Sequence, residues 1–192
     1  MGRSELLPNF CPVQRLGGPS SQVKRRPSAR TASLDLVISR AIPLREVATE
    51  APCRLCRGGF ETPVVHESRL WLTVINRNQN LLGKTFIALR RHEEEVARLT
   101  VQEWTELLDE IRWVTKRVRQ AFAPDHFNYA FLMNLDRHVH LHVIPRYVGT
   151  RGLVGVEFTD PDYPDSYRAP PSSAEVASRG VIDEVEAALR SP

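Results

Sequence analysis

Arg137-His138-Val139-His140-Leu141-His142-Val143-Ile144-Pro145-Arg146-Tyr147 is the stretch on which the reading of this 192-residue chain turns. Along an extended strand successive side chains point to opposite faces. His138, His140 and His142 therefore share one face, and Val139, Leu141 and Val143 the other. The apolar row predicts a buried face. Three of the chain's six histidines stand within five residues, at intervals of roughly 6.5–7 Å. Unpaired imidazole is polar and costly to bury, so the row implies chemistry or metal binding rather than core filling. Spacing alone leaves both uses open. Two histidines at i, i+2 on a strand are good metal ligands, and a neutral imidazole with an aimed nitrogen is a competent nucleophile toward phosphorus.

The pattern around this row predicts further elements. Phe127 to Leu135 reads as a strand, Asp136-Arg137 as a tight connection, and His138 to Ile144 as the antiparallel neighbour. Upstream, Thr100-Val101-Gln102-Glu103 has the form of a capping box. Trp104, Leu107, Leu108, Ile111, Val114, Val118 and Phe122 then recur at helical spacing until Pro124 ends the helix near Ala123. The placing of Trp104 and Trp113 is compatible with one buried and one interfacial indole. Leu70 to Ile75 and Thr85 to Leu89 read as strands joined by a turn at Asn76-Arg77-Asn78-Gln79-Asn80. Beyond Gly155 the chain turns to Asp, Pro and Tyr and ends in a short helix near Ser173 to Leu189. Asp160 to Asp165 reads as an exposed turn without chemistry. Strands, a long helix, then strands again is an α+β order.

Hydrophobic content of 42% and charged content of 26% are ordinary for a soluble globular protein. No apolar run approaches the roughly 20 residues of a membrane span, and no secretory signal pattern opens the chain, so a cytoplasmic location is expected. The net charge of +3 is concentrated at the start. Arg3, Arg15, Lys24, Arg25, Arg26, Arg30, Arg40 and Arg45 face only Glu5 and Asp35 there. Residues 1–50 read as a disordered Pro/Ser/Arg-rich leader; an organellar presequence, a nucleic-acid arm or misassigned upstream sequence are the alternatives. Lys24, Lys84 and Lys116 are the only lysines among 26 basic side chains. That bias suggests a GC-rich genome and weakens arguments from Arg richness, so a nucleic-acid partner is not expected.

Cys53-Arg54-Leu55-Cys56 pairs two of only three cysteines. A structural disulfide is not expected in the cytoplasm, and zinc is one reading of such a pair. Cys11 lies in the leader.

His138 to Ile144 resembles the His-φ-His-φ-His-φ-φ signature (φ apolar) of the histidine triad (HIT) nucleotide hydrolases and transferases. The resemblance implies a HIT-like fold over residues 51–165, with an antiparallel sheet of about five strands, followed by an extension over 166–192. It implies a hydrolase or nucleotidyltransferase cleaving at the α-phosphate of a nucleoside ester, anhydride or phosphoramidate. His140 would be the nucleophile and His142 a donor to the phosphoryl oxygens, with no cofactor needed for the chemistry. A homodimer through the long helix and its neighbouring strand is implied too. Zinc-containing members imply a structural Cys2His2 site at Cys53, Cys56, His92 and His138, with His66 a competing ligand and His92 otherwise a surface residue or one that supports the active site from behind. Asn76 stands where the family places a ribose contact, although an Asn chosen for its turn fits equally. The Gly-rich loop common before the triad is absent. Asn134 would replace part of it, and Arg137 or Arg146 would neutralise phosphate charge or simply sit on the surface. A non-catalytic nucleotide- or zinc-binding regulator of the same fold is the alternative.

Overall fold

The computed structural model describes residues 53–171 and 173–191. The expected leader, residues 1–50, lies outside them. Five strands form one antiparallel sheet in the order β1-β2-β3-β5-β4. They are β1 (Val64–Glu67), β2 (Trp71–Ile75), β3 (Thr85–Leu89), β4 (His126–Ala130) and β5 (His140–Arg146). The long helix α1 (Val101–Phe122) crosses between β3 and β4, and α2 (Arg179–Arg190) closes the chain. A small hairpin, β6 (Arg151–Leu153) with β7 (Val156–Phe158), stands apart from the main sheet. No helix among the described residues is long and apolar enough to cross a membrane.

The alternation along β5 sets the layers. Val139, Leu141 and Val143 are buried with Ile87, Leu89 and the α1 residues Leu107, Val114, Val118 and Phe122. His140 and His142 therefore emerge on the sheet face away from that core, opposite Ala88 and Phe86 of β3. The capping box forms as expected: Thr100 Oγ1 accepts from the Glu103 amide at 3.2 Å, and Glu103 returns the bond at 2.7 Å.

The β2–β3 connection is tied by a buried side chain. Gln79 donates to the carbonyls of Asn76 (2.6 Å) and Lys84 (2.7 Å) and accepts from the Gly83 amide (2.8 Å). Gly83 has φ +79°, and a Cβ there would meet Phe122 Cδ2 at 2.7 Å. Only glycine fits both the backbone and the helix pressed against it.

Several expectations are corrected. The strand from Phe127 ends at Ala130, not Leu135. Met133 takes φ 45°, and His138 N bonds back to Asp136 O at 2.9 Å, so 131–138 leaves the sheet as a loop. The triad strand starts at His140, not His138, and runs on to Arg146. Pro145 is tolerated because β3 pairing has ended at Val143 and only β4 flanks it there. β1 escapes sequence reading because four residues, Val-Val-His-Glu, are too few to show a period. Neither Trp104 nor Trp113 is the buried indole; that is Trp71, whose Nε1 donates to Glu103 O at 3.0 Å. α2 is no appendage: Val181, Ile182, Val185 and Leu189 join the same core. Asp160 is buried rather than an exposed turn residue, and it pairs with Arg146.

Candidate active site and metal site

The β3–β5 face opens into a cavity of about 410 Å³ lined by His140, His142, Phe86, Asn76, Asn134 and Lys84, with Tyr167 on its rim. The His140 and His142 ring centroids are 4.9 Å apart at an interplanar angle of 74°. Phe86 packs against both, at 5.9 Å and 6.3 Å.

His140 Nδ1 lies 2.7 Å from the His138 carbonyl oxygen. A carbonyl only accepts, so Nδ1 carries the proton and Nε2 is left with a free lone pair. Burial pushes the His140 pKa down, which keeps the ring neutral at pH 7. His142 is pushed down to about 3, first by burial and then by the neighbouring His140 and Lys84. Both rings are thus neutral imidazoles, one with a fixed tautomer.

His138, just outside the strand, faces another way. Its Nε2 donates to Leu89 O at 2.6 Å, and its Nδ1 lies 3.4 Å from both Cys53 Sγ and Cys56 Sγ. His92 Nδ1 is also 3.4 Å from Cys56 Sγ, with His92 Nε2 3.4 Å from Glu94. The four ligand atoms lie within 4.8 Å of one another. Tetrahedral zinc, with bonds of roughly 2.3 Å to sulfur and 2.0–2.1 Å to nitrogen, sets sulfur and nitrogen about 3.5 Å apart. The carbonyl at His138 and the carboxylate at His92 hold the outer ring nitrogens and turn the inner ones toward the cluster, as metal-bound imidazoles require. Cys53 and Cys56 are unbridged. Desolvation and Cys53 push the Cys56 thiol up to about 11. Cys53, Cys56, His92 and His138 therefore constitute a possible metal site.

Residues 58–149 match the family model described as HIT domain. That segment is a HIT domain. Among solved structures, a histidine triad protein from Marinobacter aquaeolei VT8 is similar at TM-score 0.55 and 24% identity, over 70% of this chain and 90% of that one. A hypothetical histidine triad nucleotide-binding protein from Sulfolobus tokodaii strain7 is similar at TM-score 0.54 and 17% identity, over 72% and 87% of the two chains. A Zn-bound histidine triad family protein from Mycobacterium smegmatis is similar at TM-score 0.50 and 18% identity, over 72% and 90%. At such identities the likeness is one of fold. No curated protein matches the chain.

Within the HIT domain, His140, His142, Asn76 and Asn134 converge on one cavity. Asn76 serves its turn as well, its Oδ1 accepting from Asn78 N at 3.0 Å. Arg146 does not reach the cavity. Its guanidinium is spent on Asp160 (2.6 and 3.2 Å), Asn128 Oδ1 (2.5 Å) and Asp165 O (3.0 Å), which corrects the expectation of a phosphate contact. His66 is not a ligand of the metal cluster either; it stacks on Trp113 at 4.2 Å and pairs with Glu110. Sequence reading missed Lys84, Phe86, Tyr167 and the Arg54–Asp136 ion pair beside the cavity. Period-two parity from Phe86 would have put Lys84 on the same face. Tyr167 has no local signal.

Proposed function

We propose that the HIT domain binds a nucleotide in this cavity and transfers its nucleotidyl group through His140. The observation that carries the reading is the His140 Nδ1 bond to the His138 carbonyl, which leaves Nε2 unprotonated on a ring that lines the cavity. The Nε2 lone pair attacks the α-phosphorus of an ester, anhydride or phosphoramidate. The bond to the leaving group breaks with its electron pair, and a nucleotidyl-histidine forms. His142 donates its N–H to the phosphoryl oxygens as charge redistributes there. Water, or a second nucleophile such as phosphate, then releases the nucleotide. Asn76 holds the ribose, and Asn134 faces the phosphates from the loop that stands in for the Gly-rich segment.

Zinc fits Cys53, Cys56, His92 and His138, and would staple the domain start to the end of the loop that leads into β5, with no open position for chemistry. The unbridged cysteine pair suits a reducing compartment, in keeping with a cytoplasmic location. We also assign a homodimer. β4 is an edge strand, and Val101, Trp104 and Leu108 of α1 are exposed with Tyr129 and Leu132. An unpaired edge beside an apolar helix stripe suits a second copy of the chain.

The test is nucleoside monophosphate release from adenosine phosphoramidate and dinucleoside polyphosphates. His140→Ala should lose at least about three orders of magnitude in rate with the fold retained, the scale expected for a lost nucleophile. Equal rates in both proteins would reject the mechanism.

A further inference from the structure

The cavity has two electrostatically distinct ends. The Arg54–Asp136 ion pair lines one part of its wall and Lys84 another. Extending the register from Thr85–Val143 puts Lys84 beside Ile144, beyond His142 on the side away from His140. From strand geometry the Cα atoms of Lys84 and His142 are roughly 8 Å apart, and those of Lys84 and His140 roughly 14 Å.

Lys84 is only 3% exposed, yet its ammonium meets only neutral oxygens. Nζ donates to Asn78 Oδ1 (3.1 Å), to Asn80 Oδ1 and to the Tyr167 hydroxyl (3.2 Å). No carboxylate among the described residues pairs with it. A buried cation without a counter-ion is costly, and burial accordingly drives its pKa down to about 7. The surroundings are anchored from outside: Asn78 Nδ2 donates to Glu175 O at 2.9 Å, and the Tyr167 ring lies 5.9 Å from the fixed Arg146 guanidinium. A buried cation held only by neutral oxygens is disposed to take an anionic partner.

We infer that Lys84, with Tyr167 and the Asn78–Asn80 turn, forms a subsite for a second phosphate of the nucleotide, distinct from the α-phosphate at His140 and His142. The inference rests on the nucleotide reading above. The second phosphate is either the next one along an anhydride chain or one carried on the sugar; both present the same dianionic oxygens to the ammonium and the phenolic hydroxyl. Anion binding would restore Lys84 to the full ammonium form, a phosphate oxygen displacing one of the three neutral acceptors to make a charge-assisted hydrogen bond.

Calorimetric titration of the full chain at pH 7 with AMP, α,β-methylene-ADP and adenosine 3′,5′-bisphosphate tests this without turnover at the anhydride. One of the two bisphosphates should bind at least about tenfold tighter than AMP, the lower end for a hydrogen bond to a charged group. Which one does so names the source of the phosphate. Lys84→Met should bring that ratio to within about twofold, and Lys84→Arg should keep part of it. If Lys84→Met fails to fold, Tyr167→Phe decides, with a ratio reduced about threefold. A wild-type ratio near one, or a ratio unmoved by these variants, overturns the subsite while AMP binding upholds the nucleotide reading. Failure of AMP with Lys84-dependent binding of inorganic phosphate overturns the nucleotide reading and keeps the subsite. Failure of every probe overturns both.

Discussion

Replacing Arg146 by methionine distinguishes a structural arginine from a substrate-binding one. The guanidinium makes four hydrogen bonds, two to Asp160, one to Asn128 and one to the Asp165 carbonyl, and its side chain is 3% exposed against 1% for Asp160. Methionine fills much of the volume but strands the Asp160 carboxylate with only the amides of Tyr147 and Asp162, each at 3.3 Å. Breaking one side of a buried pair costs about 3–5 kcal/mol. For a domain of this size, each kcal/mol is worth roughly 3–4 °C in Tm, so Arg146→Met should melt about 9–20 °C lower. Asp160→Asn should destabilise comparably by leaving the arginine uncompensated. The double variant Arg146→Met/Asp160→Asn should lose clearly less than the sum, because neither buried charge then remains. Thermal melts by circular dichroism, with urea midpoints as a second measure, give all three values. An Arg146→Met protein melting within about 2 °C of wild type while losing tenfold in nucleotide affinity would refute the reasoning and return Arg146 to the phosphate.

Three further outcomes are expected. Gly83→Ala must carry a side chain at φ +79° and push on Phe122 at 2.7 Å; left-handed backbone at about 1–2 kcal/mol and overpacking at about 1–3 kcal/mol predict a total of about 2–5 kcal/mol by urea unfolding, and a loss under 1 kcal/mol would contradict it. The Arg91 guanidinium holds the Glu103 carboxyl down to about 2 from its ordinary 4.5. A depressed carboxylate stabilises the fold above its unfolded value, so stability should fall as pH drops from about 4.5 through 2, and Glu103→Gln should flatten that slope; identical slopes in both proteins would sink the assignment. Purified protein should carry about one zinc per chain, and chelation or Cys56→Ser should lower Tm; protein free of metal whose Tm is indifferent to both would remove zinc from the account.

The histidine row was legible because period-two alternation needs no tertiary information: Val139, Leu141 and Val143 declared the buried face, and His140 and His142 had to occupy the other. α1 was legible to the residue, since Thr100, Glu103 and Pro124 are local signals of cap and stop. Elsewhere local pattern misled. Phe131 to Leu135 has strand-like side chains, but the backbone turns at Met133 and the loop becomes a cavity wall. Trp104 and Leu108 keep helical spacing on an exposed stripe, while the helix buries Glu103 and Glu110, whose partners Arg91, His66 and Thr73 come from other elements.

By itself, then, the sequence determined the histidine row, the facing of His140 and His142 and the residue types able to hold a metal, because alternation, caps and ligand chemistry are written within a few residues; the expectation that His138 shares that face is corrected by its turn to the cysteines. Only the tertiary structure decided that His138 turns to the cysteines while His140 turns to the cavity, that Arg146 belongs to Asp160, and that Lys84 lies buried beneath Tyr167 without a counter-charge. The sign and worth of a charge depend on what surrounds it. Those surroundings come from segments far apart in the chain, such as Cys53 and His138 at 85 residues, which no local pattern can join.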